Sequence, residues 1–539
     1  MFERSLLPIL LLVAALAFLY RLFPIVTGQP HLAQFFMTED GYLMLTVARN
    51  MAIGLGMSVS EGTVPTNGVQ PLATFLFTIP YLLTGGDKVT SLIGIHLIAA
   101  TAALGGFFAV RAFAARVLGQ QDDHPAWPWL AATLWFAGPL LLRHTMNALE
   151  TGLYTLAALL LLLQFARVLD RGRDAGAGAG LLLGLLGGIT FLARIDGAFL
   201  VTAIFAVWAL DCLIRQRTGF GGMLARLVPP GLISVALAAP WLVYNKLSFG
   251  SIMPISGWSQ SLGITFGQNL PLIPVKLFEH MFPMLPVPTR FESSAVVSLA
   301  MAAVVLAVLL WFLAGLWRRG GTMRFVVAAY ALHGLAIAAY YGLNFGAPHF
   351  LSRYMSVLAP LLIVAALWVA IDLARRVLAG RWQGGVAVLG LGAVALSVAL
   401  LARPLLPGAE GQGHFQVVDW VRSNVPEETW VGAVQTGTLG YWHDRTINLD
   451  GKVNPDALAA IRDEGNVLRY VADSDIAFLA DWEGIAHWVT DYPEFGQVFE
   501  VVTHVPEANL AVLRRRPAGE GGASAAAQED AAVGVAPQD

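Results

Sequence analysis

Eleven apolar runs, each near the length a helix needs to cross hydrocarbon, leave this chain few ways to fold. They lie near residues 5–23, 89–110, 127–142, 149–168, 176–192, 197–214, 227–245, 294–316, 325–344, 354–373 and 384–402. A bilayer core asks for about 20 apolar residues per helix, and it forces every backbone amide to find a partner inside its own segment. Of the chain's residues 56% are hydrophobic and only 13% charged, against roughly 25% charged in soluble domains. The expected class is a polytopic α-helical membrane protein with about 11 to 13 transmembrane helices. A shorter run, "PLATFLFTIPYLLTG" at 71–85, is left without a crossing: it is re-entrant or has an unrecognised partner. The first run follows Arg4 and carries no small-x-small cleavage site, so it reads as an uncleaved span.

The connectors sort by charge. "RAFAAR", "DRGRD", "RQRTGFGGMLAR", "RRGGTMR" and "RRVLAGR" are basic and fall at every second junction, which the positive-inside rule assigns to the cytoplasm. The expected location is the plasma (inner) membrane, with the N-terminus cytoplasmic and everything after residue 403 periplasmic or extracellular. Residues 1–403 form the membrane module, with a first outward loop at 24–70. Over 404–517, helical and strand patterns alternate ("HFQVVDWVRSNVP", "TWVGAVQ", "RTINLD", "NPDALAAIRDEG", "IAFLADW", "NLAVLRRR"), which predicts a small extracytoplasmic α/β domain. Residues 518–539 lack bulky apolar side chains and read as a disordered tail. The lone cysteine, Cys212, excludes an intrachain disulfide, and a net charge of −3 gives no sign of nucleic-acid binding.

Most of the conspicuous polar residues lie at or near the outward ends of spans: Glu39, Asp40, Arg49, Arg143, Glu150, Arg194, Asp196, Lys246, His349 and Arg353. A transporter ligates its cargo near the bilayer midplane, whereas an enzyme acting on a lipid head group needs its reactive side chains at the interface. The distribution fits the second case. For a sugar carried on a polyprenyl phosphate, Arg194, Lys246 and Arg353, with His349, are candidates to hold the phosphate, arginine through its fork and lysine as a point charge. Glu39 or Asp40 is a candidate base, and Asp40 a candidate ligand for a divalent cation such as Mg or Mn. Each has a plainer reading. "TED" starts a helix well, Arg49 suits an interfacial anchor, Arg194 and Asp196 make a local ion pair, Glu150 caps a helix, and Lys246 snorkels. Tyr42, Trp258 and Trp442 offer flat faces for sugar rings or for packing.

The segment "EDGYLMLTVARNMAIGLGMSVSEGTVPTNGVQPL" resembles the first outward loop of type C (GT-C) glycosyltransferases, in particular the bacterial protein-mannosyltransferase-like and arabinofuranosyltransferase-like branches. "MNALETGLYTLAALL", "GLLGGITFLARIDGAFLV", "LSFGSIMPISG", "SRYMSVLAPLL" and "TGTLGYWHDRTINLDGKVN" resemble later family segments in the same order. The resemblance implies an inverting membrane glycosyltransferase that takes its sugar from a polyprenyl-phosphate donor and passes it to an extracytoplasmic glycan, lipid or protein. It implies that Asp40 carries the catalytic or metal-associated role, with Glu39 beside it. The chain departs from the family pattern in having Glu-Asp for paired aspartates, Ile195 for the proline of "RPDG", and Ile255 after Pro254. A flippase for a lipid-linked sugar and a non-catalytic scaffold are the competing expectations. The enzymatic reading expects the first-loop acids and the basic side chains to meet in one pocket at the level of the outer head groups.

Overall fold

The computed structural model describes residues 2–122, 124–174, 176–405 and 414–517; the expected tail at 518–539 lies outside them. Through its described residues the chain divides into two units: Met1–Met37, Gln70–Met253 and Gln260–Gln412; and Thr38–Val69, Pro254–Ser259 and Gly413–Asp539.

The first unit is helical. Among the described residues, nine helices are long and apolar enough to cross a membrane, from Leu6–Thr27 to Trp382–Leu405, and two shorter apolar helices join them, Pro71–Thr84 and Ala177–Ala193. The segment at 71–85 is thus a helix, stopped by Gly85 in the left-handed conformation (φ 64°). The run at 127–142, expected as one span, is broken. Ala126–Ala137 and Pro139–Met146 are separate helices, because Gly138 before a proline takes an extended conformation (ψ 123°).

Close helix packing here depends on small residues. The glycine-rich helix Ala177–Ala193 lies against Gly219–Phe249 so tightly that a Cβ on Gly184 would sit 2.3 Å from the Pro230 carbonyl oxygen, and one on Gly188 would sit 2.7 Å from Leu237. The Ser234 hydroxyl donates to the Gly184 carbonyl at 2.7 Å. With no hydrophobic drive between helices in lipid, such backbone proximity supplies the association. Gly184→Ala should therefore cost about 1–3 kcal/mol through overpacking, read as a lowered thermal midpoint in detergent, whereas Gly178→Ala, whose added Cβ would meet nothing within 4 Å, should not.

The second unit holds a two-residue hairpin, β1 (Ser58–Val59) with β2 (Val64–Pro65), and a five-stranded mixed sheet. The sheet comprises β3 (Val431–Ala433), β4 (Thr446–Asn448), β5 (Phe478–Asp481), β6 (Phe499–Val505) and β7 (Leu510–Arg515), in the order β4-β3-β5-β7-β6. β3 pairs in parallel with β4 and β5, and β7 runs antiparallel to β5 and β6. Parallel neighbours need a crossover, and the helix Gly437–Trp442 supplies the one between β3 and β4. Helix Pro455–Glu464 starts on the Asn454 side chain, which accepts from the amides of Asp456 and Ala457, and ends at Gly465 in the left-handed region. Val431, Leu479, Phe499 and Leu513 are among the buried residues of this domain.

The first outward loop, expected within the membrane module, groups from Thr38 to Val69 with the C-terminal domain instead. Side-chain bonds explain why: Ser60 donates to the Thr446 carbonyl at 2.6 Å, and Arg445 pairs with Glu61 at 2.8 Å. Gly68 lies so close to Lys452 that a Cβ there would stand 2.0 Å from the Lys452 carbonyl oxygen.

Candidate active site

The two adjacent acids open the helix Glu39–Ala52. Thr38 is the N-cap, its hydroxyl accepting from the Gly41 amide at 3.2 Å, and the acids occupy the first turn, where the helix dipole favours them. Successive helical residues point about 100° apart, so neighbours in sequence face different surroundings.

Glu39 turns toward the start of helix Gly437–Trp442. Its carboxylate accepts from the Thr438 amide (3.1 Å to each oxygen) and from the Thr438 hydroxyl (2.5 Å). Residue 437 has to be glycine, because a Cβ there would fall 1.8 Å from the Glu39 carbonyl oxygen. Burial pushes the Glu39 carboxyl up to about 7 despite these bonds, and the nearby Asp481 carboxylate adds to the rise. Asp481 itself, 2% exposed at the end of β5, accepts from the amides of Val434, Gln435 and Trp482, and burial pushes it up to about 6.

These raised values set a pH dependence. Above the ordinary carboxyl range the unfolded chain has released protons that the folded domain still holds, so the stabilisation from protonation is complete below about pH 4 and is lost as pH rises through 6 and 7. The domain should be more stable near pH 5 than near pH 8. Glu39→Gln should remove about 1–2 kcal/mol of that difference, allowing for the solvent that still reaches the side chain. Thermal unfolding followed across that pH range checks it.

Asp40 faces Lys452. The ammonium lies 3.6 Å from Asp40 Oδ1 and 3.0 Å from Asp450 Oδ2, with all three side chains less than one-fifth exposed. Lys452 and Asp450 belong to "NLDGKVN", in a tight turn through Gly451 (φ 73°). Arg49, two turns beyond Asp40, pairs with Asp444 at 3.2 Å, so this helix presents its charges to the C-terminal domain. Tyr42 is 1% exposed and packs on Tyr441, 4.8 Å between ring centroids, which makes it core and not a sugar platform. Trp442 carries Arg422 over its ring at 4.9 Å, and Trp258 is exposed.

The remaining candidates lie in the helical unit. Arg194 is buried, and its fork joins two carboxylates: Nη1 reaches Glu150 at 2.5 Å and Nη2 reaches Asp196 at 2.8 Å. The Tyr341 hydroxyl donates to Asp196 at 2.7 Å. The guanidinium stands 4.4 Å over the Tyr354 ring, and Arg353 approaches the same ring at 5.0 Å and donates to the Tyr354 hydroxyl at 3.2 Å. Glu150, Arg194, Asp196 and Arg353 are thus brought together around Tyr341 and Tyr354. Lys246 is exposed and donates to the Gly250 carbonyl at 2.8 Å across the end of its own helix, and His349 is exposed against Phe350.

The residues that sequence reading passed over are Thr438, Asp450, Lys452, Tyr341 and Tyr354. The first three sit inside "TGTLGYWHDRTINLDGKVN" and Tyr354 inside "SRYMSVLAPLL", where the resemblance was the available signal; Tyr341 carried none. Among the described residues, no group of three or more His, Cys, Asp or Glu is placed to hold a metal ion.

Comparison with known proteins gives the class. The structure of ArnT from Cupriavidus metallidurans bound to undecaprenyl phosphate is 14% identical, covers 94% of this chain and 98% of its own, and has a TM-score of 0.51. The oligosaccharyltransferase AglB from Archaeoglobus fulgidus, in complex with an inhibitory peptide and a dolichol-phosphate, is 13% identical, over 95% of this chain and 75% of its own, with a TM-score of 0.54. The mycobacterial arabinofuranosyltransferase AftD is 15% identical over 95% of this chain, which spans 42% of AftD's length, with a TM-score of 0.50. At these identities the likeness is one of fold: the chain is a polytopic membrane protein with the GT-C fold. Residues 404–517 match a family described as a domain of unknown function, DUF8728. No curated protein matches the chain in sequence.

Proposed function

We propose that the chain is an inverting membrane glycosyltransferase that moves a sugar from a polyprenyl-phosphate donor to an extracytoplasmic acceptor, with Asp40 as the base. The observation that carries this is the setting of Asp40. It stands at a helix start beside an ammonium, whereas the adjacent Glu39 is engaged by Thr438. The fold likeness supports it, since ArnT was crystallised with undecaprenyl phosphate and AglB is seen in complex with a dolichol-phosphate.

In this reading Asp40 takes the proton of the acceptor hydroxyl as it attacks the anomeric carbon. The glycosyl–phosphate bond breaks, and the electron pair leaves on the polyprenyl phosphate. Arg353, whose planar fork suits a phosphate, stabilises the departing charge. Lys246 and His349 remain candidates for the same phosphate. Arg194, its charge already spent on Glu150 and Asp196, positions Tyr354 and through it Arg353.

In this reading Lys452, whose ammonium Asp40 and Asp450 share, supplies the counter-charge that a divalent cation would otherwise bring to these carboxylates. Chelation with EDTA should leave turnover unchanged, and Lys452→Met should lower it by about 10- to 100-fold, the scale of a lost charge-assisted contact.

The test is transfer by purified protein in detergent, supplied with a pool of polyprenyl-phosphate sugars and envelope acceptors. Release of polyprenyl phosphate matched by glycosylated acceptor is the expected result. Absence of release with every donor and acceptor class, from protein that is folded by thermal unfolding, overturns the reading. A flippase would move donor across vesicles without breaking its glycosyl bond.

A further inference from the structure

A groove of about 230 Å³ runs along the membrane-facing side of the helical unit, lined by Leu11 and Phe18 of the first span, Leu104 and Phe108 of the second, and Trp129 and Phe136 of the helix after it. Every lining residue is apolar, and Leu11 and Phe108 are 42% and 51% exposed. Leu11 to Phe18 spans roughly 10 Å along a helix, about a third of the hydrocarbon thickness. The space exceeds the roughly 150 Å³ apolar cavity that admits benzene, so a length of hydrocarbon chain fits it.

The two ends differ. Beyond Phe18 and Phe136 the groove stops at Arg21, which is fully buried, lies 3.8 Å over the Phe136 ring and donates to the carbonyls of Ala17 and Phe136 at 2.9 and 2.8 Å. Its Nε, like that of Arg111, has no hydrogen bond, but with none of its surface exposed this guanidinium is out of reach of a head group. At the opposite end, Arg111 follows Leu104 and Phe108 at helical spacing, one turn beyond the groove. Its guanidinium rests 5.1 Å over Trp129. Its Nε is buried without a hydrogen bond, and among the described residues no carboxylate pairs with it. Arg111 opens the basic connector "RAFAAR", which the positive-inside rule assigns to the cytoplasmic face.

We infer that this groove binds an anionic glycerophospholipid of the cytoplasmic leaflet, with one acyl tail between the first two spans and the phosphate on Arg111. An apolar slot that ends in one unpaired, partly exposed arginine is complementary to a molecule with a long tail and a negative head. The inference stands apart from the proposed transfer reaction, which draws on neither the groove nor Arg111.

The test uses the full chain in nanodiscs of phosphatidylcholine with about one-fifth phosphatidylglycerol, the latter carrying a diazirine in its acyl chain. In the wild-type protein, crosslinks should concentrate in peptides covering 104–111 and 126–136. Crosslinks spread evenly over other lipid-facing helices, such as Ala295–Arg319, overturn the inference. So does stoichiometric displacement by undecaprenyl phosphate, which would make the groove a carrier-lipid site. Arg111→Gln should reduce the preference for phosphatidylglycerol over phosphatidylcholine about five-fold, the effect of one interfacial arginine, and Arg111→Lys should retain most of it. Ala15→Trp, filling the groove, should abolish crosslinking of either lipid. An unchanged preference in Arg111→Gln overturns the head-group assignment.

Discussion

Asp40→Asn should lower transfer by roughly 10²- to 10⁴-fold, the range that a positioned general base contributes, and should leave the fold intact. Asparagine is nearly isosteric, Thr38 still caps the helix through the Gly41 amide, and Glu39 still holds Thr438. The change removes one negative charge beside Lys452, whose other partner Asp450 remains at 3.0 Å. Because the affected step is chemistry, the loss falls on kcat and the donor KM changes little. The companion variant Glu39→Gln separates the adjacent acids: it keeps turnover within a few-fold of wild type and flattens the pH dependence of stability. Near-normal turnover in Asp40→Asn would remove Asp40 from the mechanism. A large loss in Glu39→Gln with stability unchanged would exchange the two roles.

The second large effect is on folding. Arg194→Ala strands Glu150 and Asp196, both almost wholly buried, without the cation between them. Breaking a buried ion pair by deleting one partner costs about 3–5 kcal/mol, most of it the penalty of the uncompensated charge. Arg194→Lys is a poor repair, because one ammonium cannot reproduce a fork that bridges two carboxylates while its face covers Tyr354. Thermal unfolding in detergent reads the effect. Arg353→Ala, by contrast, should lose turnover at the donor-phosphate step; its contacts include the Phe350 and Tyr354 rings and the Tyr354 hydroxyl. If Arg194→Ala unfolds at the wild-type temperature yet no longer transfers, Arg194 belongs on the donor phosphate after all.

Much of the architecture was legible because it is written in local composition. The run at 89–110 falls within Lys88–Leu118, that at 149–168 overlaps all but its first two residues with Thr151–Arg171, and "TWVGAVQ" and "RTINLD" contain β3 and β4. The run at 127–142 misled because average hydropathy does not register that Gly138-Pro139 turns the backbone out of the helix. β6 escaped notice because "FEVVTHV" keeps only its first residue buried and lacks a clean alternation.

The candidate site was legible only as a set of charges. Glu39 and Asp40 look equivalent in sequence, yet one is bound to a threonine 399 residues away and the other lies beside a lysine in the same distant domain. Arg194 reads as a partner for Asp196, and that holds, but its second carboxylate, Glu150, comes from another helix.

By itself the sequence determined that this chain crosses the membrane many times and carries an α/β domain after the last span, since apolar length and residue periodicity are properties of neighbouring residues. Only the tertiary structure decided which charges meet which partners. A carboxylate's fate depends on what stands within a few ångströms of it, and here those groups come from segments far apart in the chain.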